Sequence, residues 1–205
     1  MSGGIGAVVF DYGKVICLPP ADSVMRDIAA LAGLPQKTME DLVWRFRRDF
    51  DRGLVSAAGY YENLLRHGGV SAGPAVFERM GVLDIEGWSR VNGDTVRLME
   101  RIKAGGTKLG ILSNIPREFL AMARERLPVF RLPDVGIFSC ETGSVKPEEA
   151  IYQVLLSALG CRPEEIVFFD DMRENVDAAL ALGIKAFVWQ DPPAAEEILK
   201  EYAVL

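Results

Sequence analysis

The clearest pattern in the chain is a set of short apolar runs that do not alternate with polar residues and are bounded by turn residues. Uninterrupted apolar runs of this length are typical of strands buried on both faces of a parallel sheet. The later runs are separated by segments whose apolar residues have helical spacing. The predicted strands are residues 7–10, 108–112, 135–139, 166–169 and 184–189, and the predicted helices between them are 94–104, 116–126, 147–159 and 175–182.

Alternation of strands and helices predicts an α/β fold with a Rossmann-like, doubly wound parallel sheet. The first strand is followed by roughly 75 residues with no comparable strand, far more than the dozen or so that a parallel crossover needs. Apolar residues at helical spacing fall within this stretch, among them Met39, Leu42, Tyr60 and Leu64. We therefore expect a core formed by residues 1–17 and 91–205, with a helical cap inserted at residues 18–90.

Composition narrows the classes of partner. The 205 residues carry a net charge of -6, with an isoelectric point near 5.0, which disfavours a surface that covers nucleic-acid phosphates and favours a small-molecule partner. No apolar run is long enough to span a membrane, and residues 1–6 lack the pattern of a signal peptide, so we expect a cytoplasmic protein. Three scattered cysteines and one histidine favour neither a disulfide framework nor a zinc site.

Polar residues follow three of the predicted strands, and the carboxyl ends of parallel strands meet at the edge of a sheet where ligands bind. Asp11 follows the first strand, and Gly13 permits a sharp turn there. Ser113 and Asn114 follow the second strand, just before a predicted helix whose amides favour anions. Taken singly, an aspartate such as Asp11 is more often a turn residue, and a serine such as Ser113 is more often a helix cap.

The fourth strand ends in the adjacent carboxylates Asp170 and Asp171, which repel one another unless a cation or a proton lies between them. Lys146 adds a cation immediately before Pro147, where a helix is expected to begin. Aspartate, serine, lysine and paired aspartates at successive strand ends form a combination that purely structural roles do not predict.

These residues make the chain resemble the haloacid dehalogenase superfamily of hydrolases. The resemblance rests on Asp11 in Val-Val-Phe-Asp-Tyr-Gly-Lys, on Leu-Ser-Asn at 112–114, on Lys146-Pro147, and on Phe-Asp-Asp at 169–171 with Asn175. The pattern is similar to subfamily IA, with a cap of the C1 type, and most resembles small bacterial sugar-phosphate phosphatases whose first motif reads Asp-x-Gly-Asn. The implied fold is the Rossmann-like core with its inserted helical cap.

The resemblance implies a phosphatase that uses Mg2+ and a small phosphate ester, while the charge and the lack of a long apolar run predict no nucleic-acid or membrane partner. It implies that Asp11 is the nucleophile, forming an aspartyl-phosphate, and that the metal is bound by Asp11, the Gly13 carbonyl and Asp171. Three further roles are implied. Ser113, the Asn114 amide and Lys146 would hold the phosphate, Lys146 would keep Asp11 ionised, and Asp170 with Asn175 would orient the metal ligands.

One position departs from the family pattern. Most phosphatases of this superfamily have a second aspartate two residues after the nucleophile, which protonates the leaving oxygen, whereas this chain has Gly13. Loss of a positioned general acid reduces the rate by about two to four orders of magnitude. We therefore expect slow hydrolysis, or a bias towards leaving groups that need little protonation, such as anomeric sugar phosphates, aryl phosphates and phosphoanhydrides.

Two alternatives remain at this stage. A 2-haloacid dehalogenase shares the aspartate nucleophile but needs no metal, and in that group Ser-Asn stands where this chain has Asp170 and Asp171. A weakly active or non-catalytic binding protein with this fold would explain Gly13, but not the retention of Asp11 and Lys146.

Substrate contacts are expected from the cap, where residues 44–52 are rich in arginine. Arg45, Arg48 and Arg52 share one face of a predicted helix and are candidates to bind an anionic or hydroxylated substrate. The alternative is that these arginines form a solvent-exposed helix face and pair with nearby aspartates. Trp44 is a candidate for stacking on a sugar, with packing inside the cap as the alternative.

Overall fold

The computed structural model of the chain describes residues 4–205. The first three residues, on which part of the expectation about the amino terminus rests, lie outside the described residues. In the described part, no helix combines the length and apolar character that crossing a bilayer requires.

The core is a five-stranded parallel sheet in the order β3-β2-β1-β4-β5, which confirms the predicted α/β fold. Each strand lies within two residues of its predicted limits at both ends. Because the chain builds outward from β1 in both directions, the carboxyl ends of β1, β2 and β4 surround the point where the strand order reverses. The strands are β1 Ala7–Phe10, β2 Lys108–Ser113, β3 Val135–Phe138, β4 Ile166–Asp170 and β5 Lys185–Val188.

Helices cover both faces of the sheet because alternate residues of β1 point to opposite sides. Val8 and Phe10 pack in one cluster with Leu98 and Leu199, whereas Val9 packs in a second cluster on the other face with residues such as Tyr152. The helices of the core are α5 Gly93–Ala104, α6 Arg117–Arg126, α7 Ser139–Thr142, α8 Glu149–Leu159, α9 Arg173–Ala181 and α10 Pro192–Glu201.

Four helices lie within residues 18–90, where the insertion was expected, and they have a hydrophobic core of their own. Fully buried members of that core include Met39, Tyr60, Leu64 and Met80. The sequence periodicity indicated α2 and α3, while α1 and α4 carried no pattern that we recognised. The helices are α1 Asp22–Ala32, α2 Gln36–Asp51, α3 Ala57–His67 and α4 Pro74–Gly87.

The chain leaves the core and returns to it side by side. Cys17 pairs with Val91 in a short antiparallel bridge, and the Leu18 amide donates to the Arg90 carbonyl at 2.7 Å. This pairing lies next to the predicted limits of the cap, residues 18 and 90, which stay a prediction as domain boundaries. The pairing fixes the cap over the carboxyl ends of the strands.

Candidate active site

A cavity of about 320 Å³ lies between the cap and the carboxyl ends of β1, β2 and β4. Its wall on the core side contains most of the residues predicted from the strand ends. The parallel register brings them together, since β1 pairs with β2 on one side and with β4 on the other. These residues are Asp11, Gly13, Ser113, Asn114, Lys146, Asp171 and Asn175.

Lys146 is the centre of the charged cluster. Its ammonium lies 2.7 Å from Asp11 Oδ1 and 2.6 Å from Asp170 Oδ2, and its side chain is almost fully buried. Burial acts to lower the pKa of Lys146, but the two carboxylates outweigh it, so the pKa is raised and the lysine stays charged.

Asp11 follows β1 directly, and its amide donates to the Phe169 carbonyl, so the backbone still belongs to the sheet. Burial raises the pKa of Asp11 to about 7, and the nearby Asp170 and Asp171 add to the effect while Lys146 opposes it. The sequence predicted that Lys146 keeps Asp11 ionised. Lys146 does act in that direction, but burial outweighs it and the pKa of Asp11 stays above its usual value, so a cation bound nearby would favour the ionised form.

Asp170 is fully buried, and the protein occupies both of its oxygens. Oδ2 pairs with Lys146, while Oδ1 accepts hydrogen bonds from the Met172 amide at 2.8 Å and from the Asn175 side chain at 2.9 Å. These bonds leave Asp170 suited to orienting its neighbours. Asp171 is more open and pairs with Lys14 at 3.3 Å.

Asp11, Asp170 and Asp171 each offer an oxygen within 4.8 Å of the others, which is the grouping that could hold a metal among the residues described. Oxygen donors of this kind suit Mg2+. The side-chain carbonyl of Asn175 is buried beside them without a hydrogen-bond partner. A buried acceptor without a donor is costly, so both observations fit a hydrated cation at this position.

The Asn114 side chain has a role that the sequence did not predict. Its Oδ1 accepts from the Lys146 amide at 2.8 Å, and its Nδ2 donates to the Lys146 carbonyl at 3.0 Å. The side chain therefore fixes the backbone that carries the lysine. The expected role of Asn114 in holding phosphate involves its backbone amide and stays a prediction.

Gly13 has backbone angles that any residue adopts, with φ -63° and ψ 122°. A Cβ at this position would lie 3.7 Å from Asp11 Oδ2 and 3.8 Å from Trp88 Cζ3, both ordinary contacts. Lys14, in contrast, has φ 56° in the left-handed region, where a lysine is strained and an asparagine is better tolerated. The turn therefore has its strain at residue 14.

The cap residues differ in part from the expectations. Trp44 is 60% exposed and lines the cavity, so packing inside the cap is the wrong alternative. Arg48 also lines the cavity but pairs with Glu148 at 3.0 Å. The Arg45 guanidinium lies over the Phe46 ring and outside the cavity wall, and its role as a substrate residue stays a prediction.

Arg48 and Arg52 join the cap to the core through Glu148, although the Arg48 side chain is still 57% exposed. Arg52 donates to both oxygens of Glu148 and to the Gly143 carbonyl at 3.2 Å. This contact lowers the pKa of Glu148 to about 2. Glu148 follows the Lys146-Pro147 pair, so the contact fixes the end of α2 beside the charged cluster.

Several cavity residues were not found from the sequence. On α2, Arg47 and Asp51 line the cavity together with Trp44 and Arg48. Counted from Trp44, these residues are three, four and seven positions away, which is the spacing of one helix face and could have indicated Arg47 and Asp51. Burial raises the pKa of Asp51, although Arg47 at 2.8 Å opposes this. No sequence signal indicated Trp88 or Phe119.

Comparison with known proteins agrees with this geometry. A family model described as haloacid dehalogenase-like hydrolase matches residues 5–183, which include all four strand-end motifs. The chain belongs to the haloacid dehalogenase-like hydrolase family. The family assignment makes it a hydrolase and confirms the resemblance found from the sequence.

Curated relatives of this hydrolase include phosphatases. Phosphatase MT3486 of Mycobacterium tuberculosis is 27% identical over 192 residues, a match that covers 90% of this chain and 87% of the relative. A phosphorylated carbohydrates phosphatase of Thermotoga maritima is 30% identical over 87 residues, covering 42% of this chain and 40% of that protein.

Solved structures of the same fold come from enzymes with different names. A haloacid dehalogenase family enzyme of Bacteroides thetaiotaomicron has a TM-score of 0.77 and 17% identity, covering 92% of this chain and 95% of its own. The same enzyme has been solved with magnesium and inorganic phosphate. An L-2-haloacid dehalogenase has a TM-score of 0.76 and 17% identity, covering 97% of this chain and 100% of its own. At these identities the likeness supports the fold alone.

Proposed function

We propose that this hydrolase is a Mg2+-dependent phosphatase that cleaves small phosphomonoesters through an aspartyl-phosphate on Asp11. The observation that carries the proposal is the cluster in which Lys146 lies within 2.7 Å of Asp11 and within 2.6 Å of Asp170, with Asp171 nearby. A nucleophilic carboxylate, a buried cation and an acidic pair are the groups that phosphoryl transfer to a carboxylate requires. The phosphatases among the relatives support the same class.

Asp11, the Gly13 carbonyl and Asp171 are the proposed metal ligands, and Asp170 and Asn175 orient them. Bound Mg2+ would neutralise phosphate charge and favour the ionised form of Asp11. The hydrogen bonds of Asp170 support the orienting role, since both of its oxygens already have protein donors.

The chain's own groups account for the remaining chemistry. Asp11 attacks phosphorus in line, so that a bond forms from its carboxylate oxygen as the bond to the leaving oxygen breaks. Ser113, the Asn114 amide and Lys146 bind the phosphoryl oxygens, whose charge is redistributed in the transition state. Water then hydrolyses the acyl phosphate, which releases phosphate and restores the Asp11 carboxylate.

Position 13 shapes the preference among substrates. With glycine there, no carboxyl group at that position donates a proton to the leaving oxygen, so esters with good leaving groups are favoured. Anomeric sugar phosphates, aryl phosphates and phosphoanhydrides meet this requirement. A sugar phosphate is the class that the Thermotoga relative supports.

A 2-haloacid dehalogenase is the second candidate, favoured by the fold shared with an L-2-haloacid dehalogenase. The paired carboxylates Asp170 and Asp171 argue against it, since the dehalogenase reaction uses no metal to offset their charge.

The test is release of phosphate from aryl, anomeric and primary-alkyl phosphates, with Mg2+ and with EDTA. Wild type is compared with Asp11→Asn, which keeps the shape of the side chain, and with Asp41→Asn, an exposed cap control. We expect turnover that requires both Mg2+ and Asp11 and is unaffected at Asp41. Release of chloride from a 2-chloro acid, without phosphate release from any ester, would favour the dehalogenase.

A further inference from the structure

Six residues of the cavity lining are apolar, and four of these are aromatic. Its volume of about 320 Å³ is at the small end of the range for ligand pockets, enough for a phosphate and one ring system. Trp44 and Met172 are the exposed members, and the others are buried or half-buried. The apolar wall consists of Tyr12, Trp44, Trp88, Ile115, Phe119 and Met172.

Trp88 is held rigidly in this wall. Its indole Nε1 donates to Asp84 at 3.1 Å, and its carbonyl accepts a hydrogen bond from the Tyr12 hydroxyl at 2.8 Å. The ring edge lies 3.8 Å from where a Cβ on residue 13 would be. Most phosphatases of this family have an aspartate at the position of Gly13. In this chain, an ester bound at Asp11 would have the Trp88 indole beside it at that place, where those phosphatases have a carboxyl group.

The polar cap residues of the cavity are already engaged with protein partners. Arg47 pairs with Asp51 at 2.8 Å and with Asp84 at 3.0 Å, and Arg48 pairs with Glu148. A second anionic group on the substrate would have to displace one of these pairs. Hydroxyls of a sugar that face the apolar wall would lack partners, which is costly, and on the core side only Lys14 and Glu174 add exposed polar groups to the lining.

We propose that this cavity selects aryl phosphates, in which phosphate is esterified to a phenolic group of about one ring system. The proposal rests on the phosphatase function proposed above and chooses among the good leaving groups that Gly13 favours. The aromatic wall supplies stacking surface, and a phenolate departs with the electron pair of the broken bond and takes its proton from solvent. Shape and chemistry therefore favour the same class of substrate.

The kinetic test separates ring recognition from leaving-group acidity. Phenyl phosphate is compared with hexafluoroisopropyl phosphate, whose parent alcohol is about as acidic as phenol but has no ring. Stacking and burial of one ring predict a kcat/KM about tenfold higher for the phenyl ester. Trp44→Ala should lower the value for the phenyl ester by about threefold to tenfold and change that for the fluoroalkyl ester by less than about twofold.

The matched control is Leu54→Ala, which shortens a large cap residue that is 67% exposed and lies outside the cavity wall. It should leave both kcat/KM values unchanged. Equal kcat/KM for the two esters in wild type, with Trp44→Ala behaving like wild type, would overturn the aryl preference while leaving the phosphatase function in place.

A binding measurement tests the same inference without turnover. Isothermal titration calorimetry in the presence of Mg2+ compares phenylphosphonate with propylphosphonate, neither of which is hydrolysed. We expect phenylphosphonate to bind about tenfold more tightly and Trp44→Ala to remove most of that difference. Equal affinities would contradict the inference. If no ester gives Asp11-dependent phosphate release, the phosphatase proposal fails and the phosphonate affinities alone decide the aryl preference.

Discussion

Replacing Gly13 by aspartate tests directly whether a missing general acid limits this enzyme. The backbone angles at this position, φ -63° and ψ 122°, are ordinary for any residue. The new Cβ would make normal contacts at 3.7 Å and 3.8 Å, so we expect the variant to fold. Loss of glycine flexibility in the unfolded chain adds about 0.4 to 1 kcal/mol of stability, part of which offsets the cost of the added carboxyl group.

The magnitude follows from the charges around Asp11. Two carboxylates about 5 Å apart repel by about 3 kcal/mol at an effective dielectric constant of about 20. That energy corresponds to about 2 pKa units. The carboxyl group introduced at position 13 should therefore hold a proton nearer to neutral pH, as a general acid must. We expect a gain of about two orders of magnitude on esters with poor leaving groups, at the low end for a general acid because Trp88 narrows the space.

The assay measures kcat/KM for glycerol 3-phosphate and for 4-nitrophenyl phosphate, with Mg2+ present, in wild type and in Gly13→Asp. The gain should be large for the alkyl ester and small for the nitrophenyl ester, whose leaving group needs no proton. Gly13→Asn is the control of matched shape without an acidic proton. An equal gain for both esters, an equal gain in Gly13→Asn, or no gain in a variant with a normal melting temperature would refute the reasoning.

Three further predictions concern groups around the site. Asn114→Ala should lower kcat by about tenfold, because the Asn114 side chain holds the backbone of Lys146 in place. If only the backbone amide of Asn114 contacts phosphate, the Kd for inorganic phosphate should not change. A phosphate titration measures this Kd, and a weaker value would assign the side chain to phosphate binding. Glu148→Gln should cost about 1 kcal/mol in urea unfolding at neutral pH. Because the pKa of Glu148 in the folded protein is lowered from 4.5 to about 2, the difference in unfolding free energy between wild type and Glu148→Gln should shrink as pH falls from 4.5 towards 2. An equal loss of stability in the neighbouring Glu149→Gln would contradict the role of Arg52. Lys14→Asn should tighten Mg2+ binding about twofold to fivefold, because it removes the ammonium group that competes with the metal for Asp171. Calorimetry measures the affinity, and weaker Mg2+ binding in the variant would refute this competition.

The sequence by itself determined the sheet and the residues at its carboxyl edge. Strand signals such as residues 166–169 are local, because a strand buried on both faces must be apolar throughout. Parallel strands then place Asp11, Ser113 and Asp170 at one edge whatever the details of packing. The family motifs and the departure at Gly13 were therefore readable without coordinates.

Only the tertiary structure decided how the cap contributes. Whether Arg48 binds a substrate or Glu148 depends on a contact between residues 100 positions apart, on which helical spacing gives no information. The same holds for the Asn114 side chain, which bonds 32 residues away to the backbone of Lys146. Trp88 lies beside Gly13 because the chain returns from the cap next to the strand it left, and this return makes an aromatic wall out of a residue that the sequence pattern did not distinguish.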